Sequence, residues 1–177
     1  YMIVLITVGV VGSEPPSTCM IPCAMATTRA APIKSFAPFL KEVAILEYEE
    51  WADNKEKDKK NRIAKKIEKI KSNLNKDDFC KLILLSNDML IGFISIFPND
   101  CDECINLKPW YATMYVKKEY RGKGYSKILN DAILKESKKR NYNEIFLKTE
   151  LNNYYEKFGA KFIKKLSNGE KLYKFEL

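Results

Sequence analysis

The chain has 177 residues, of which 46% are hydrophobic and 31% charged, so we expect a single domain over residues 1–177 with a core of its own. The net charge of +8 favours an anionic partner, which is a nucleic acid, an anionic membrane surface or a phosphorylated cofactor. The sequence contains no histidine. This excludes a histidine general base, a Ser-His or Cys-His nucleophile pair and a metal held by histidine.

Residues 1–33 differ from the rest because they contain no lysine and a single arginine, Arg29. The apolar run Met2 to Val11 is too short to cross a bilayer and lacks the basic start of a secretory signal. Its β-branched residues suit a strand. Two interpretations stay open: a first strand followed by a loop, or residues foreign to the native frame.

The cysteines argue against a disulfide scaffold, because they are odd in number and lie in a lysine-rich chain. We therefore expect a cytoplasmic protein. Cys19 and Cys23 could join Cys101 and Cys104 in a four-thiolate zinc site. The second pair lies in an acidic turn, so we expect no metal.

Hydrophobic periodicity predicts alternating helices and strands. In chain order they are helices Ser35–Trp51 and Lys55–Leu74, a hairpin of Cys80–Leu85 and Met89–Phe97, strand Tyr111–Val116, helix Ser126–Arg140, strand Glu144–Thr149, a short helical segment Asn152–Phe158, and a terminal hairpin of Lys161–Lys165 and Leu172–Phe175. Ser35 is the predicted N-cap of the first helix. The order strand, loop, helix, strand predicts a right-handed crossover between parallel strands. The expected class is α/β, with a mixed sheet.

The second predicted helix is rich in lysine on most of its surface. A nucleic-acid face would have aromatic residues interleaved with these lysines, and this helix has none. A solvated helix surface is the simpler interpretation, so we expect neither nucleic acid nor membrane as a partner.

The loop from Tyr120 to Ser126 has the features of an anion site. Glycine allows the backbone to approach a ligand closely, and the free N–H groups of a helix start point toward it. Arg121 and Lys123 add two positive charges. A basic turn with a glycine cap is the alternative interpretation.

Residues Val116 to Ser126 resemble the acyl-CoA signature of the GNAT superfamily of N-acetyltransferases, written R/Q-x-x-G-x-G/A. Arg121 and Gly124 match this signature, and Ser126 replaces the usual glycine or alanine. Downstream, Tyr154 to Ala160 is similar to the closing motif aromatic-Tyr-Glu-Lys-x-Gly-Phe, with Ala160 in place of the aromatic residue. The resemblance covers residues 35–177.

The resemblance implies a GNAT fold, in which a mixed, mostly antiparallel sheet is flanked by helices and strands Tyr111–Val116 and Glu144–Thr149 are parallel and splayed. Acetyl-CoA would be the co-substrate, with its pantetheine arm on the main chain near Met114 and Val116. Its pyrophosphate would contact the loop residues Arg121, Gly122, Lys123, Gly124, Tyr125 and Ser126. The thioester carbonyl would lie against a strand amide that stabilises negative charge on its oxygen.

By the same resemblance, Tyr155 would be the general acid that protonates the departing thiolate. A half-buried tyrosine with a packing role is the alternative. No carboxylate lies in Tyr111–Val116 to act as the base. Glu150, Asp102 and Glu103 are the remaining candidates, and none has a motif behind it.

The acceptor is expected to be a primary amine of a small molecule or peptide. The predicted contact residues are Glu50, Trp51, Trp110 and Tyr111, and the nearby acids Glu47, Glu49 and Asp53 would favour a cationic amine. Alternatively, these acids are a solvated face and the rings are core. Whether the chain forms a homodimer stays open.

Three functions remain at this point. The favoured one is an acetyl-CoA-dependent N-acetyltransferase. The second is a catalytically silent acyl-CoA-binding regulatory domain, which the missing carboxylate supports. The third is a basic nucleic-acid-binding module.

Overall fold

The computed structural model describes residues 2–6, 29–30, 33–52, 58–74 and 76–177, and strands within these ranges form one mixed sheet. The strands are β1 (Met2–Ile6), β2 (Arg29–Ala30), β3 (Cys80–Ser86), β4 (Met89–Phe97), β5 (Trp110–Val116), β6 (Glu144–Thr149), β7 (Lys161–Lys165) and β8 (Lys171–Glu176), in the spatial order β2-β1-β3-β4-β5-β6-β8-β7. The helices are α1 (Ile33–Trp51), α2 (Lys59–Asn73) and α3 (Tyr125–Lys139).

Both predicted hairpins are confirmed. Strands β3 and β4 pair antiparallel, and the turn between them places Asn87 at φ 48° and Asp88 at φ 59°. Two successive residues with positive φ make the turn whose twist matches a hairpin, and Asn and Asp tolerate that conformation. Strands β7 and β8 also pair antiparallel, with Gly169 at φ 91° in the connecting turn.

Strands β5 and β6 are parallel and separate soon after they meet. Their register contains the single pair Trp110 and Phe146, and the Phe146 N–H donates to the Pro109 carbonyl at 2.9 Å. Beyond this pair each strand runs on without bonding the other, which opens a gap between them. The mixed α/β class and the splayed parallel pair are thus confirmed.

The helices cover opposite faces of the sheet because strand side chains alternate. Leu82 and Leu84 of β3 pack in one core cluster with Leu129 of α3. Ile83 of the same strand packs in the other cluster with Val43 of α1 and with α2. The sheet is therefore the middle layer of three.

Several predicted boundaries are corrected. Helix α1 begins at Ile33, so Ser35 lies inside the helix rather than at its N-cap. Helix α2 begins after Asp58, whose carboxylate accepts from the Asn61 N–H at 3.2 Å. The helix was predicted to begin at Lys55, and residues 55–57 lie outside the described residues. In the segment predicted as helical, a single 3-10 turn forms, Glu156–Phe158.

The N-terminal segment contributes β1, which pairs antiparallel with β3. Residues 7–28, which include Cys19 and Cys23, lie outside the described residues, so the zinc hypothesis is not addressed. The described cysteines Cys80, Cys101 and Cys104 are free and buried. Of the helices described, none is long and apolar enough to cross a membrane.

Candidate active site

A cavity of about 740 Å³ lies where β5 and β6 separate. Its walls come from the end of β5, the glycine loop, the first turn of α3 and the segment after β6. The lining residues include Met114, Tyr115, Val116, Tyr120, Arg121, Gly122, Gly124, Tyr125, Ser126, Lys127, Leu151, Tyr154, Tyr155, Lys157 and Phe158, with Glu50 from α1. Its volume suits a ligand of cofactor size.

The glycine loop ends directly at the start of α3. Gly122 and Gly124 have φ of 76° and 82°, a left-handed conformation that is favourable for glycine. A Cβ at either position would meet no atom within 4 Å, so glycine is required here for its conformation and the space above the loop is open. The N–H groups of Lys127 and Ile128 donate to the Gly124 carbonyl at 3.0 and 3.3 Å. The Ser126 N–H lies just before them in the first turn of α3, where the helix itself supplies no carbonyl one turn back.

Arg121 is held at the mouth of the cavity by its own contacts. Its Nε donates to the Val116 carbonyl at 2.9 Å, and its guanidinium carbon lies 5.5 Å from the centre of the Tyr115 ring. A planar guanidinium fixed in this way presents its remaining N–H groups in a defined direction. The predicted anion-binding arginine is therefore at the cavity.

The other cations differ from the prediction. Lys123 does not line the cavity, and its Nζ lies 5.6 Å from the centre of the Tyr120 ring. Lys127 and Lys157 line it instead. Lys127 could have been found from its place in the first turn of α3, next to the loop. Lys157 had no signal beyond its position in the Tyr154 to Ala160 motif.

Tyr155 lines the cavity in a cluster of aromatic rings. Its ring centre lies 5.7 Å from that of Tyr111 and 5.0 Å from that of Tyr154, with edge-to-face geometry in both pairs. Burial raises the pKa of Tyr155 well above its ordinary value because a phenolate would lose its hydration. The hydroxyl thus stays protonated at neutral pH and is able to donate a proton.

Two of the predicted acceptor contacts are core residues in the structure. Trp110 is fully buried, donates its indole N–H to the Leu107 carbonyl at 2.7 Å and packs on Phe146. Tyr111 is 3% exposed, and its hydroxyl donates to Asn130 Oδ1 at 3.2 Å. The structure brings neither side chain to the cavity, because the start of β5 lies where the sheet is still closed.

The acids of α1 are engaged in ion pairs. Glu47 is buried, and Glu49 lies 2.9 Å from Lys59 Nζ. Glu50 lines the cavity and lies 3.9 Å from a terminal nitrogen of Arg121. The fourth predicted acid, Asp53, lies outside the described residues. The predicted acidic cleft is therefore reduced to Glu50.

Trp51 lines a second cavity, of about 380 Å³, between the end of α1 and one side of α2. The other lining residues are Tyr48, Ala52, Arg62, Lys65, Lys66 and Lys69. The Trp51 ring centre lies 6.3 Å from that of Tyr115, which lines the first cavity. The two cavities are thus neighbours on either side of this aromatic pair, and the second is lined by cations.

The predicted base candidates do not lie at the first cavity. Glu103 accepts from the Ser167 N–H at 2.8 Å, and this bond, with Lys164, lowers the pKa of Glu103 to about 2. Asp102 and Glu150 are exposed. Asp100, which the sequence did not single out, differs because burial raises its pKa to about 6.

Solved structures share this fold. Ribosomal-protein-alanine N-acetyltransferase from Brucella melitensis superposes with a TM-score of 0.62 over 82% of this chain and 97% of that one, at 16% identity. An aminoglycoside 6'-N-acetyltransferase complexed with coenzyme A gives a TM-score of 0.61 over 79% and 91%, at 16% identity. The fold is that of N-acetyltransferases.

The chain belongs to the acetyltransferase (GNAT) family, whose model matches residues 40–160. It is also 35% identical to N-alpha-acetyltransferase 30 of Schizosaccharomyces pombe over 82 residues, and this alignment covers 44% of the present chain. The match spans about half of that relative, 54% of its length.

Proposed function

We propose that the protein transfers the acetyl group of acetyl-CoA to a primary amine of a small molecule or peptide. The observation that carries this proposal is the cavity at the gap between β5 and β6, which has the left-handed glycine loop at one side and Tyr155 at another. A site of this form offers backbone N–H groups to an anion and a neutral acid to a leaving group.

Within this proposal, the loop from Gly122 to Ser126 and Arg121 bind the diphosphate of acetyl-CoA. Met114 and Val116 present main-chain groups to its pantetheine arm, because the end of β5 has no neighbour on the β6 side. These assignments require no metal.

The chemistry needs an activated acyl group, which acetyl-CoA supplies as a thioester. The neutral amine attacks the thioester carbon, a C–N bond forms, the C–S bond breaks, and Tyr155 gives its hydroxyl proton to the sulfur. The surplus proton of the amine leaves to water, and water returns a proton to the Tyr155 phenolate, so that the net products are the amide and the CoA thiol. Holding the amine close to the carbon supplies much of the acceleration when no strong base is present.

The silent acyl-CoA-binding domain is the second candidate function. It is favoured by the shortage of a general base among the described lining residues. Glu50 is the acid of that lining, and its carboxylate lies beside Arg121. Such a domain would bind acetyl-CoA and transfer nothing.

Two measurements test the candidates, and the second separates them. Calorimetry with acetyl-CoA tests binding, and we expect a one-to-one complex for either candidate; no heat of binding would contradict both. Release of the CoA thiol is then followed with a panel of peptides, polyamines and aminoglycosides. Amine-dependent release supports the transferase, whereas binding without release supports the silent domain.

A further inference from the structure

A buried polar chain crosses the sheet from α1 to β5. Glu47 Oε1 accepts from Lys81 Nζ at 2.6 Å, and Lys81 Nζ also donates to Ser95 Oγ at 2.6 Å. Ser95 Oγ accepts from Thr113 Oγ1 at 2.7 Å. Lys81 and Ser95 are fully buried, and Glu47 is 4% exposed. A lysine is rarely buried this deeply unless it is paired, so its place in the sheet requires a reason.

Thr113, the last residue of this buried polar chain, has an unusual backbone conformation. Its φ is 48°, a conformation that is strongly disfavoured for a β-branched residue. The pairing of β4 with β5 shifts register here, since Phe93 faces Tyr115 while Ser95 faces Ala112. Strand β5 therefore has one extra residue, which is a β-bulge.

The bulge changes which way the end of β5 faces. Side chains two apart normally share a face of a sheet, yet Tyr111 and Met114, three apart, both pack toward α3. Tyr115 packs on the opposite face, toward α1. The bulge thus sets the orientation of the Met114–Val116 edge, which borders the gap.

Gly92 of β4 shows how closely the two strands approach beside the bulge. A Cβ at Gly92 would lie 2.4 Å from the Tyr115 carbonyl oxygen and 3.2 Å from Leu129 Cδ1. The close approach leaves the end of β5 little freedom to move toward β4.

The Glu47 carboxylate keeps its negative charge near neutral pH. Burial alone would raise the pKa of Glu47, but Lys81 and Lys66 outweigh it and the pKa is lowered. Glu47 is then a poor acceptor for a proton passed along the chain. Its role is to hold Lys81 in place, and Lys81 in turn holds Ser95.

We propose that Glu47, Lys81 and Ser95 are positioning residues that hold Thr113 in its left-handed conformation and so orient the Met114–Val116 edge of the gap. The consequence for catalysis rests on the proposed function, since this edge is where the acyl arm would bind. The geometry of β5 itself does not depend on that function.

Three substitutions of Thr113 separate conformation from hydroxyl. Thr113→Val keeps the shape and removes the hydrogen bond, Thr113→Ser keeps the hydroxyl, and Thr113→Gly removes the hydroxyl but favours positive φ. Ser137→Ala is the control, because Ser137 is another fully buried hydroxyl, which donates to the Ile133 carbonyl at 2.8 Å inside α3.

Amide hydrogen exchange of residues 114–116 in the free protein is the first measurement. We expect Thr113→Val to speed exchange about tenfold, the scale of one lost buried hydrogen bond, and the serine, glycine and control variants to exchange as the wild type does. A double variant, Glu47→Leu with Lys81→Met, removes both charges together and should speed exchange as Thr113→Val does. Wild-type exchange in Thr113→Val would overturn the proposal.

Turnover is the second measurement. We expect kcat of Thr113→Val to fall about tenfold with KM for acetyl-CoA changed less than about threefold, because the diphosphate loop is untouched. Thr113→Gly should keep most of kcat. If Thr113→Gly loses as much as Thr113→Val, the hydroxyl acts directly and positioning is wrong. If the wild type acetylates no amine, the proposed function fails. The hydrogen-exchange rates still show whether the buried polar chain positions the end of β5.

Discussion

At the scale of single residues, Tyr155 combines a place in the cavity lining with burial of its phenol. It lines the cavity between the rings of Tyr111 and Tyr154, and burial raises its pKa. An acid that never ionises in the working range donates equally well at pH 7 and pH 9. The pH dependence of the reaction should therefore come from the amine, which reacts when neutral.

Replacing Tyr155 with phenylalanine tests the proposed acid. We expect kcat to fall about 100-fold, toward the lower limit for loss of a general acid, with affinity for acetyl-CoA unchanged because the ring remains. The measurement is thiol release from pH 6 to pH 9. Tyr142→Phe is the control, since Tyr142 is another half-buried tyrosine outside the cavity lining. Unchanged kcat in Tyr155→Phe across this range would remove the acid role.

Within the proposed function, Gly124 is the residue on which acetyl-CoA binding would depend most directly. Gly124→Glu adds a side chain at φ 82° and a negative charge beside the proposed diphosphate site. We expect affinity for acetyl-CoA to fall about tenfold or more, which is at least 1.4 kcal/mol. Titration calorimetry with acetyl-CoA measures this affinity.

Gly169→Glu is a matched control for Gly124→Glu. Gly169 has φ 91° and open space at its Cβ position, and it lies in the turn between β7 and β8. The two substitutions share the backbone strain and the charge, so only the loss that is specific to position 124 reports on binding. Equal affinities of the two variants for acetyl-CoA would contradict the assignment of the glycine loop to the binding site.

At the scale of elements, packing of α1 on α2 reverses the charge expected for the acceptor side. The acids of α1 are consumed by ion pairs, as with Glu49 and Lys59 at 2.9 Å. Among the described residues, the charged side chains that line the cavity at Trp51 are cations from α2, which include Lys65 and Lys69. We therefore propose that an acceptor that extends into the second cavity carries anionic groups.

Charge reversal on α2 tests this acceptor preference. Lys65→Glu with Lys69→Glu should lower kcat/KM for a peptide with acidic residues near its amine by roughly threefold to tenfold, on the scale of one or two weakened surface ion pairs. A neutral peptide should be unaffected. Lys60→Glu is the control, because Lys60 is exposed on the same helix and does not line the cavity. Equal losses for acidic and neutral peptides would contradict the preference.

At the scale of the whole molecule, the buried carboxyl group of Glu47 and the half-buried one of Asp100 give opposite contributions to stability as pH changes. The pKa of Glu47 is lowered from 4.5, so its ion pairs stabilise the fold above that value and the contribution is lost as pH falls below it. The pKa of Asp100 is raised from 3.8 to about 6 by burial. The folded state then binds a proton more tightly than the unfolded state, and the contribution of Asp100 to stability decreases as pH rises from about 4 to 6.

Asp100→Asn should accordingly stabilise the protein at neutral pH. We expect the free energy of unfolding at pH 7.5 to rise by about 1 to 2 kcal/mol after allowance for partial exposure, and to change little at pH 4. Urea unfolding at both values measures it. Asp102→Asn, two residues away and exposed, should change neither value. A variant Asp100→Asn that is less stable at pH 7.5 would show that the charged form is favoured instead.

The single-domain organisation over residues 1–177 is a proposal. The family model matches residues 40–160, and β1 extends the sheet by pairing with β3. Measurement of the intact mass against the printed sequence, followed by limited proteolysis, tests whether residues 1–33 belong to the folded unit.

Much of the fold could be predicted because local chemistry determines it. Short apolar runs predicted β3 to β8, and Asn87-Asp88 and Asn168-Gly169 are turn formers in most surroundings. The glycine loop could be located for the same reason, since Gly122 and Gly124 are required by backbone conformation. Helix starts were less certain, because Ser35 was a plausible cap and α1 begins before it.

The amino-acid sequence by itself determined the order of the elements, the place of the glycine loop and the absence of histidine chemistry, because these depend on residue type and short-range spacing. Tertiary structure alone decided which side chains reach the cavity. Trp110 and Tyr111 lie at the start of β5, beside its pair with β6, and are buried, while Lys157 comes from a segment far along the chain. It also decided that Glu47 neutralises Lys81, since a contact between residues 34 positions apart depends on how α1 packs across the sheet.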